Sequence, residues 1–481
     1  MSIIKRLAGD TAAYGVSSIL ARLINFLFGF LIIRYITPAE FGTFTNFYAY
    51  AGFILVVLTH GMETAYFRFV NKAESAENAF STSFFSIALV VSLFVLMCYI
   101  FQQPIAAYVK EPTLYVQFFA WMMAFDALSA IPFASLRKQG RPILFAVLKV
   151  CNILFFIVFN VLFFIVFPLF KIEIPFTKVS YIFIANIIAS VCTFILLLQQ
   201  FKQLQFNLNT TLYKQMLVYA MPIMLVGFAG MINEVLDRII MIRLLTGSDV
   251  ENKIQLGIYG FNYKFAMLVS MFLQAYRYAA EPLFFKHAEK SDSKQVLAST
   301  MKYYMISVCL LFLSIVLFLP LIQALFILYS PNSATYFVGA DIIPILLLAN
   351  ICLGIYFNIS TWYKITDKTY IGAIIAIIGA VITIVSNVLL VPKMGYHGAA
   401  WATLICYVSM VIMGYITEQK YYPINYEYKK ILFYIGFAVA LYLVLKLGIL
   451  PMQFSLFINT LIAMLMLSSY GLFAYFLERN K

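Results

Sequence analysis

Charged side chains stand in the middle of long apolar runs, and that arrangement leaves few folds open. Windows of about twenty predominantly apolar residues, the length a helix needs to cross a bilayer, recur along the chain and give about fourteen spans. They lie near 12–36, 42–66, 80–101, 113–135, 143–167, 177–199, 215–245, 256–280, 303–328, 338–362, 370–391, 395–417, 430–449 and 454–477. Hydrocarbon offers the backbone no hydrogen-bond partner, so runs of this kind must be helical. Composition agrees: 63% of residues are hydrophobic and 11% charged, with a mean hydropathy of +0.92. A soluble domain is about 45–50% apolar and about 25% charged. The expected fold class is an all-α integral membrane protein.

The formal charge of +13 does not point to nucleic acid. The basic residues are scattered through short loops, with no long stripe or arm. With the N-terminus on the cytoplasmic side, about twenty Lys and Arg fall on that face and about eight on the other, a positive-inside bias. Both termini are therefore expected in the cytoplasm. Lys5 and Arg6 precede the first apolar run, but that run is long and shows no small-residue cleavage site, so it is expected to remain as a span. The six cysteines lie inside apolar segments and form no CxxC pair, which argues for neither disulfide nor metal. No nucleotide loop, metal-ligand spacing or nucleophile–base set is present in the sequence, so no cofactor, metal or catalytic residue is expected.

The chain repeats itself. Ile33-Arg34-Tyr35-Ile36-Thr37 closes the first span and Ile242-Arg243-Leu244-Leu245-Thr246 the seventh. Asn160-Val161-Leu162 with Pro168 ends the fifth, and Asn387-Val388-Leu389 with Pro392 the eleventh. The matched pairs are six spans apart, so the repeats are parallel. The expected organisation is two six-helix lobes, 1–205 and 206–425, with two further C-terminal spans in 426–481. Polar residues between two such lobes suit alternating access to a central cavity.

A charge deep in a bilayer is costly, about 2.5–3.5 kcal/mol on insertion scales, so it faces a bundle interior or a water-filled cavity. Span 8 places Tyr259, Tyr263, Ser270, Gln274 and Arg277 on one helical stripe. Lys264 lies off that stripe, where it can snorkel, and Arg277 is also placed to anchor the interface. Span 7 carries Glu234, Asp237 and Arg238. Glu234 and Arg238 are spaced for an i,i+4 ion pair, leaving Asp237 for another partner. Span 1 sets Arg22 and Asn25 on one face, and span 5 carries Lys149. Arg22, Asn25, Lys149, Arg238, Lys264, Tyr259, Tyr263, Gln274 and Arg277 are the candidate lining of a cationic cavity. Glu63, three residues from His60, Asp126, Glu234 and Asp237 are candidates for ion coupling. Arg binds phosphate bidentately and tyrosines suit sugars, so a lipid diphosphate carrying an oligosaccharide fits, as do other organic anions.

Three segments carry a family resemblance. One runs from Gly15 to Gly42 and ends in Arg34-Tyr35-Ile36-Thr37-Pro38-Ala39-Glu40-Phe41-Gly42. The second runs from Pro222 to Asp237-Arg238 and on to Gly257-Ile258-Tyr259. The third is Asn387 through Pro392 with Gly395, Gly398-Ala399-Ala400 and Ala402-Thr403. With these the chain resembles, over nearly its whole length, the polysaccharide and oligosaccharide flippases (Wzx-type O-antigen flippases) of the multidrug/oligosaccharidyl-lipid/polysaccharide exporter superfamily. The resemblance implies two six-helix lobes and a central cationic cavity in a bacterial inner-membrane protein. It implies that an undecaprenyl-diphosphate-linked glycan passes from the cytoplasmic to the periplasmic leaflet for O-antigen, capsule or exopolysaccharide synthesis. The implied partners are that glycan, membrane lipid and polysaccharide assembly proteins. Carried onto this chain, Arg22, Arg238 and Arg277 would contact the pyrophosphate.

Three other readings stay open. A cation-coupled multidrug or metabolite exporter of the same fold would favour a carboxylate-rich cavity. A polysaccharide polymerase would carry a large periplasmic loop, whereas no loop here exceeds roughly 25 residues. A non-transporting scaffold would have less reason to strand charges in several spans.

Overall fold

The structure, a computed structural model, describes residues 20, 23–24, 26–72, 76–172, 174–205, 209–287, 292–330 and 332–479. Among them are thirteen helices long and apolar enough to cross a membrane, from Pro38–Phe69 to Leu456–Arg479. They match the second to fourteenth expected spans in order. Of the first span, 20, 23–24 and 26–36 are described, and 26–32 are helical. The protein is thus a multi-pass membrane protein of about fourteen helices. Leu89, Leu93, Leu96 and Ile100 are among many large apolar side chains left exposed, as a surface in contact with lipid requires.

The chain falls into two compact units, Met1–Leu256 and Gly257–Lys481. In the first, the Thr210–Leu244 helix packs on Pro38–Thr59 and on the short Met62–Phe69 helix. The break between those two has a local cause. His60 and Gly61 both adopt left-handed backbone, at φ 32° and 72°, and a Cβ on Gly61 would stand 2.7 Å from the Ala220 carbonyl oxygen. Glycine is what lets the long helix approach here. Pro222 sits inside that helix without interrupting it.

In the second unit the tightest pair is Thr369–Met394 with Tyr396–Tyr421. Gly395 turns the chain with φ 58°, and a Cβ on Gly398 would come within 2.5 Å of the Leu390 backbone. The Gly395-to-Thr403 motif read in the sequence therefore sets a helix–helix distance.

Two helix starts are built alike. Thr37 and Glu40 form a reciprocal capping box: the Thr37 amide donates to the Glu40 carboxylate at 2.7 Å and the Glu40 amide to Thr37 Oγ1 at 3.3 Å. Ser248 and Glu251 repeat it, at 2.8 and 3.3 Å. Each box satisfies two amides that a helix start otherwise leaves unpaired. The two boxes follow the matched Arg34 and Arg243 segments.

Candidate functional site

The first unit carries a polar seam inside the membrane-spanning region. The Asp126 carboxylate accepts from Ser190 Oγ at 2.6 Å. Ser190 also reaches Asn186 Oδ1 at 3.3 Å, and the Asn186 amide donates to the Tyr48 hydroxyl. One turn on, the Asn152 amide donates to Thr193 Oγ1 at 2.9 Å. Lys149 lies near enough to act on the Asp126 charge, and its ammonium sits 4.1 Å from the Phe133 ring centroid. An acid, a base and a file of amides and hydroxyls thus share one interior. Such a seam holds a charge, or passes a small cation or proton, more readily than hydrocarbon does.

The acids of span 7 pair differently from the sequence expectation. Arg238 Nη1 donates to the Glu234 main-chain carbonyl at 2.7 Å and lies 3.5 Å from Asp237 Oδ1. The Glu234 carboxylate is exposed, while Asp237 is buried. The guanidinium folds back along its own helix and meets backbone where a Glu234 carboxylate was expected. Its adjacent acid takes the charge contact, and the Arg238 amide also donates to Asp237 Oδ1 at 2.8 Å.

Glu63 is not joined to His60. It pairs with Arg137, whose guanidinium stacks 4.8 Å from the Phe67 ring. His60 instead meets Ser86 Oγ through Nε2 at 2.7 Å and the Leu58 carbonyl through Nδ1 at 3.0 Å. His60 ends the Pro38–Thr59 helix in left-handed backbone and Glu63 lies on the next helix, so the two do not share one helical face.

In the second unit the expected stripe on span 8 is tied into its own bundle. Tyr259 and Tyr263 are buried and pack together at 5.8 Å. Ser270 donates to Asn350 at 2.6 Å, and Tyr276 to Asn358 at 2.5 Å. The Gln274 amide oxygen is buried with no hydrogen-bond partner among the described residues. Arg277 lies 3.2 Å from Glu281, which also takes Lys364 at 2.9 Å, and it stacks 4.5 Å from the Phe357 ring. Lys264 is half-buried. Arg22 and Asn25 lie outside the described residues.

Some polar residues escaped the sequence reading. Asn186, Ser190 and Thr193 recur at helical spacing, a signal that was legible. Lys110, Glu111, Asp249 and Lys253 form a rim cluster, with Lys110–Asp249 at 2.5 Å and Lys253–Glu111 at 2.8 Å, and Thr43 donates to Glu111 at 2.6 Å. Residues so far apart in sequence carry no periodic signal for such a cluster. Among the described residues no group of three or more His, Cys, Asp or Glu could hold a metal ion.

Comparison with known proteins adds a family and a fold. Residues 7–288, well over half of the chain, match the polysaccharide biosynthesis protein family. No curated protein matches the chain by sequence. Among solved structures it is similar to the lipid II flippase MurJ in an inward closed conformation, with a TM-score of 0.77, 15% identity, and coverage of 96% of this chain and 98% of that one. It is also similar to an inward-facing multidrug resistance MATE family transporter of the MOP superfamily, with a TM-score of 0.66, 15% identity, and coverage of 83% and 94%. A MOP superfamily transporter from Pyrococcus furiosus gives 0.60, 12% identity, and coverage of 86% and 95%.

Proposed function

The chain belongs to the polysaccharide biosynthesis protein family, and from that membership we propose that it moves a lipid-linked oligosaccharide across the membrane. The observation that carries this reading is the union of that family with a chain made almost wholly of membrane helices. A polysaccharide pathway needs sugar-building enzymes and a step that takes the finished lipid-linked unit through the bilayer. The second asks for a protein built through the bilayer, as this one is. The likeness in fold to a lipid II flippase supports the same step.

The proposed substrate is an undecaprenyl-diphosphate-linked glycan, passed from the cytoplasmic to the periplasmic leaflet of a bacterial inner membrane with both termini in the cytoplasm. Alternating exposure of a cationic interior, built on two six-span repeats, would carry it. The product would serve O-antigen, capsule or exopolysaccharide assembly, alongside the proteins that polymerise and attach the units. Lys149, Arg238, Lys264 and Arg277, with Arg22, are the proposed contacts for the diphosphate, because guanidinium and ammonium groups offset its charge on leaving water. Asn25, Tyr259, Tyr263 and Gln274 are the proposed polar lining. Asp126 and Asp237 are proposed to couple an ion; Glu63 and Glu234 are weaker choices, one for its pairing with Arg137 and the other for its exposure.

The test is genetic and direct. Deletion of the gene should leave lipid-linked repeat units accumulated in the cytoplasmic leaflet, with loss of surface polysaccharide. Normal surface polysaccharide with no accumulated intermediate sinks the proposal. Purified protein in vesicles that extrudes cationic drugs and ignores lipid-linked sugars would sink it in favour of a multidrug exporter.

A further inference from the structure

The Asp249–His287 and Ser293–Val316 helices border an open cavity of about 590 Å³ that none of the proposed diphosphate contacts lines. Its size falls within the range of ~300–1,000 Å³ common for small-ligand pockets. Three rings make an aromatic surface in it. Tyr304 lies 6.0 Å from Phe272, nearly parallel, and 4.7 Å from Tyr276. Gly354 fixes Tyr304 in place: a Cβ there would stand 1.7 Å from the tyrosine hydroxyl. That hydroxyl is buried with no hydrogen-bond partner among the described residues.

The rest of the lining is a polar stripe. Asp292, Gln295, Ser299, Tyr303 and Ser307 succeed one another at steps of three and four residues, so they share one face at one end of the helix. Gln295, Tyr303 and Ser307 are exposed. Polar side chains on a spanning helix are disfavoured against hydrocarbon, so this face must meet water or a polar ligand.

The chemistry of the lining selects the ligand. It holds hydroxyls, an amide, aromatic faces and one carboxylate, and, among the described residues, no Lys or Arg. A phosphate would find no cation to neutralise it. A sugar finds ring faces for its C–H surface, and donors and acceptors for its hydroxyls. We propose that this cavity holds a neutral sugar of the substrate's glycan, apart from the cations that take the diphosphate; the assignment rests on the lipid-linked oligosaccharide reading above. Diphosphate and sugar are then recognised by different helices.

The experiment measures equilibrium binding of two probes to the full-length protein in lipid nanodiscs. One is undecaprenyl diphosphate. The other is the same lipid bearing neutral hexose or N-acetylhexosamine disaccharides, offered as a panel. The wild type should bind at least one sugar-bearing lipid about tenfold more tightly than the bare one. Ser307→Leu and Ser299→Leu, which crowd the cavity, should each bring that ratio close to one and leave affinity for the bare lipid unchanged. Retained affinity for the bare lipid also reports a folded variant. Equal weakening of both lipids, no sugar preference for any panel member, or a preference that survives both substitutions overturns the sugar site and leaves translocation standing. Failure of the wild type to bind either lipid overturns the translocation reading and the sugar site together. Competition by the free disaccharides on the wild type and not on Ser307→Leu, together with the gain from the lipid-linked form, supports the site; competition with no such gain overturns the assignment to the substrate's glycan.

Discussion

Asn160 and Asn387 make the same bond in the two units of the chain. Each donates its side-chain amide to the carbonyl four residues back, Phe156 at 2.7 Å and Thr383 at 2.8 Å. Each leaves its amide oxygen buried without a hydrogen-bond partner among the described residues. They occupy matching places in the sequence repeat, before Val-Leu and a proline. The paired capping boxes at Thr37–Glu40 and Ser248–Glu251 are a second local correspondence. Shared details of this kind support an origin in parallel repeats.

A buried oxygen left unpaired costs about 1–3 kcal/mol, comparable to what the amide's own bond returns. Asn160→Leu and Asn387→Leu should therefore change stability by no more than about 1 kcal/mol in either direction. Translocation should fall in both, if the unpaired oxygens face the moving substrate or its water. Thermal unfolding of the purified variants checks the first part and a vesicle transport assay the second. Strong destabilisation of both would make the role of these amides structural and nothing more.

Asp126 provides the next prediction. Asp126→Asn keeps the shape and still accepts from Ser190 Oγ, now 2.6 Å away, but removes the charge that Lys149 feels. The variant should fold and insert normally. Transport should lose its dependence on an imposed gradient, while exchange without a gradient persists. Ser190→Ala should act in the same sense and more weakly, since it removes a hydrogen bond and leaves the carboxylate. Vesicle assays with the proton, sodium and electrical gradients collapsed in turn would show this. An Asp126→Asn protein with wild-type gradient dependence removes Asp126 from coupling.

How far the sequence reached follows from the physics of each signal. The spans were legible because hydrocarbon imposes one length and one secondary structure on them. The tight pair at Gly395–Gly398 was legible as a motif, although its meaning, a helix set against the Leu390 backbone, needed coordinates. Arg238 was legible as a stranded charge, and its partner was misassigned. Spacing alone offers Glu234 at i,i+4, but a flexible guanidinium also reaches the helix's own carbonyls and the adjacent Asp237. The Lys110–Asp249 pair joins residues 139 positions apart, and no periodicity announces such a contact. The stripe from Asp292 to Ser307 was readable by period, but hydroxyls in a membrane helix often bond back to the preceding turn. Thr300 does so at 2.5 Å to the Val296 carbonyl.

The C-terminal pair of helices is held by a charge cluster, and that gives a stability prediction. Lys302 reaches Glu478 at 2.5 Å and Glu427 at 3.7 Å, while Lys430 lies 2.8 Å from Glu427 and the Tyr434 hydroxyl donates to Glu478 at 2.7 Å. The Lys302 side chain is only 10% exposed. Lys302→Met should cost up to about 3 kcal/mol, because it takes from a partly buried carboxylate one of its two charge partners and leaves Lys430 at 3.3 Å. Adding Glu478→Gln should recover part of that loss. Thermal unfolding of the two single variants and the double variant closes the cycle. Additive losses would mean that the two residues do not act on one another.

Gly61 and Gly140 allow the cost of a clash to be separated from the cost of a backbone angle. Both have left-handed backbone, at φ 72° and 65°. A Cβ on Gly140 would meet nothing within 4 Å, whereas one on Gly61 would press on the Ala220 carbonyl oxygen at 2.7 Å. Gly140→Ala should then cost only the left-handed penalty, about 1–2 kcal/mol. Gly61→Ala should cost that amount and more, because backbone cannot move aside as a flexible side chain can, so the Thr210–Leu244 helix must shift. The difference between the two melting temperatures isolates the steric part. Translocation should fall in Gly61→Ala and survive in Gly140→Ala, since only the first displaces the helix that carries Asp237 and Arg238. Equal losses of stability would mean that this helix yields without strain, and the close approach at Gly61 would not position those two side chains.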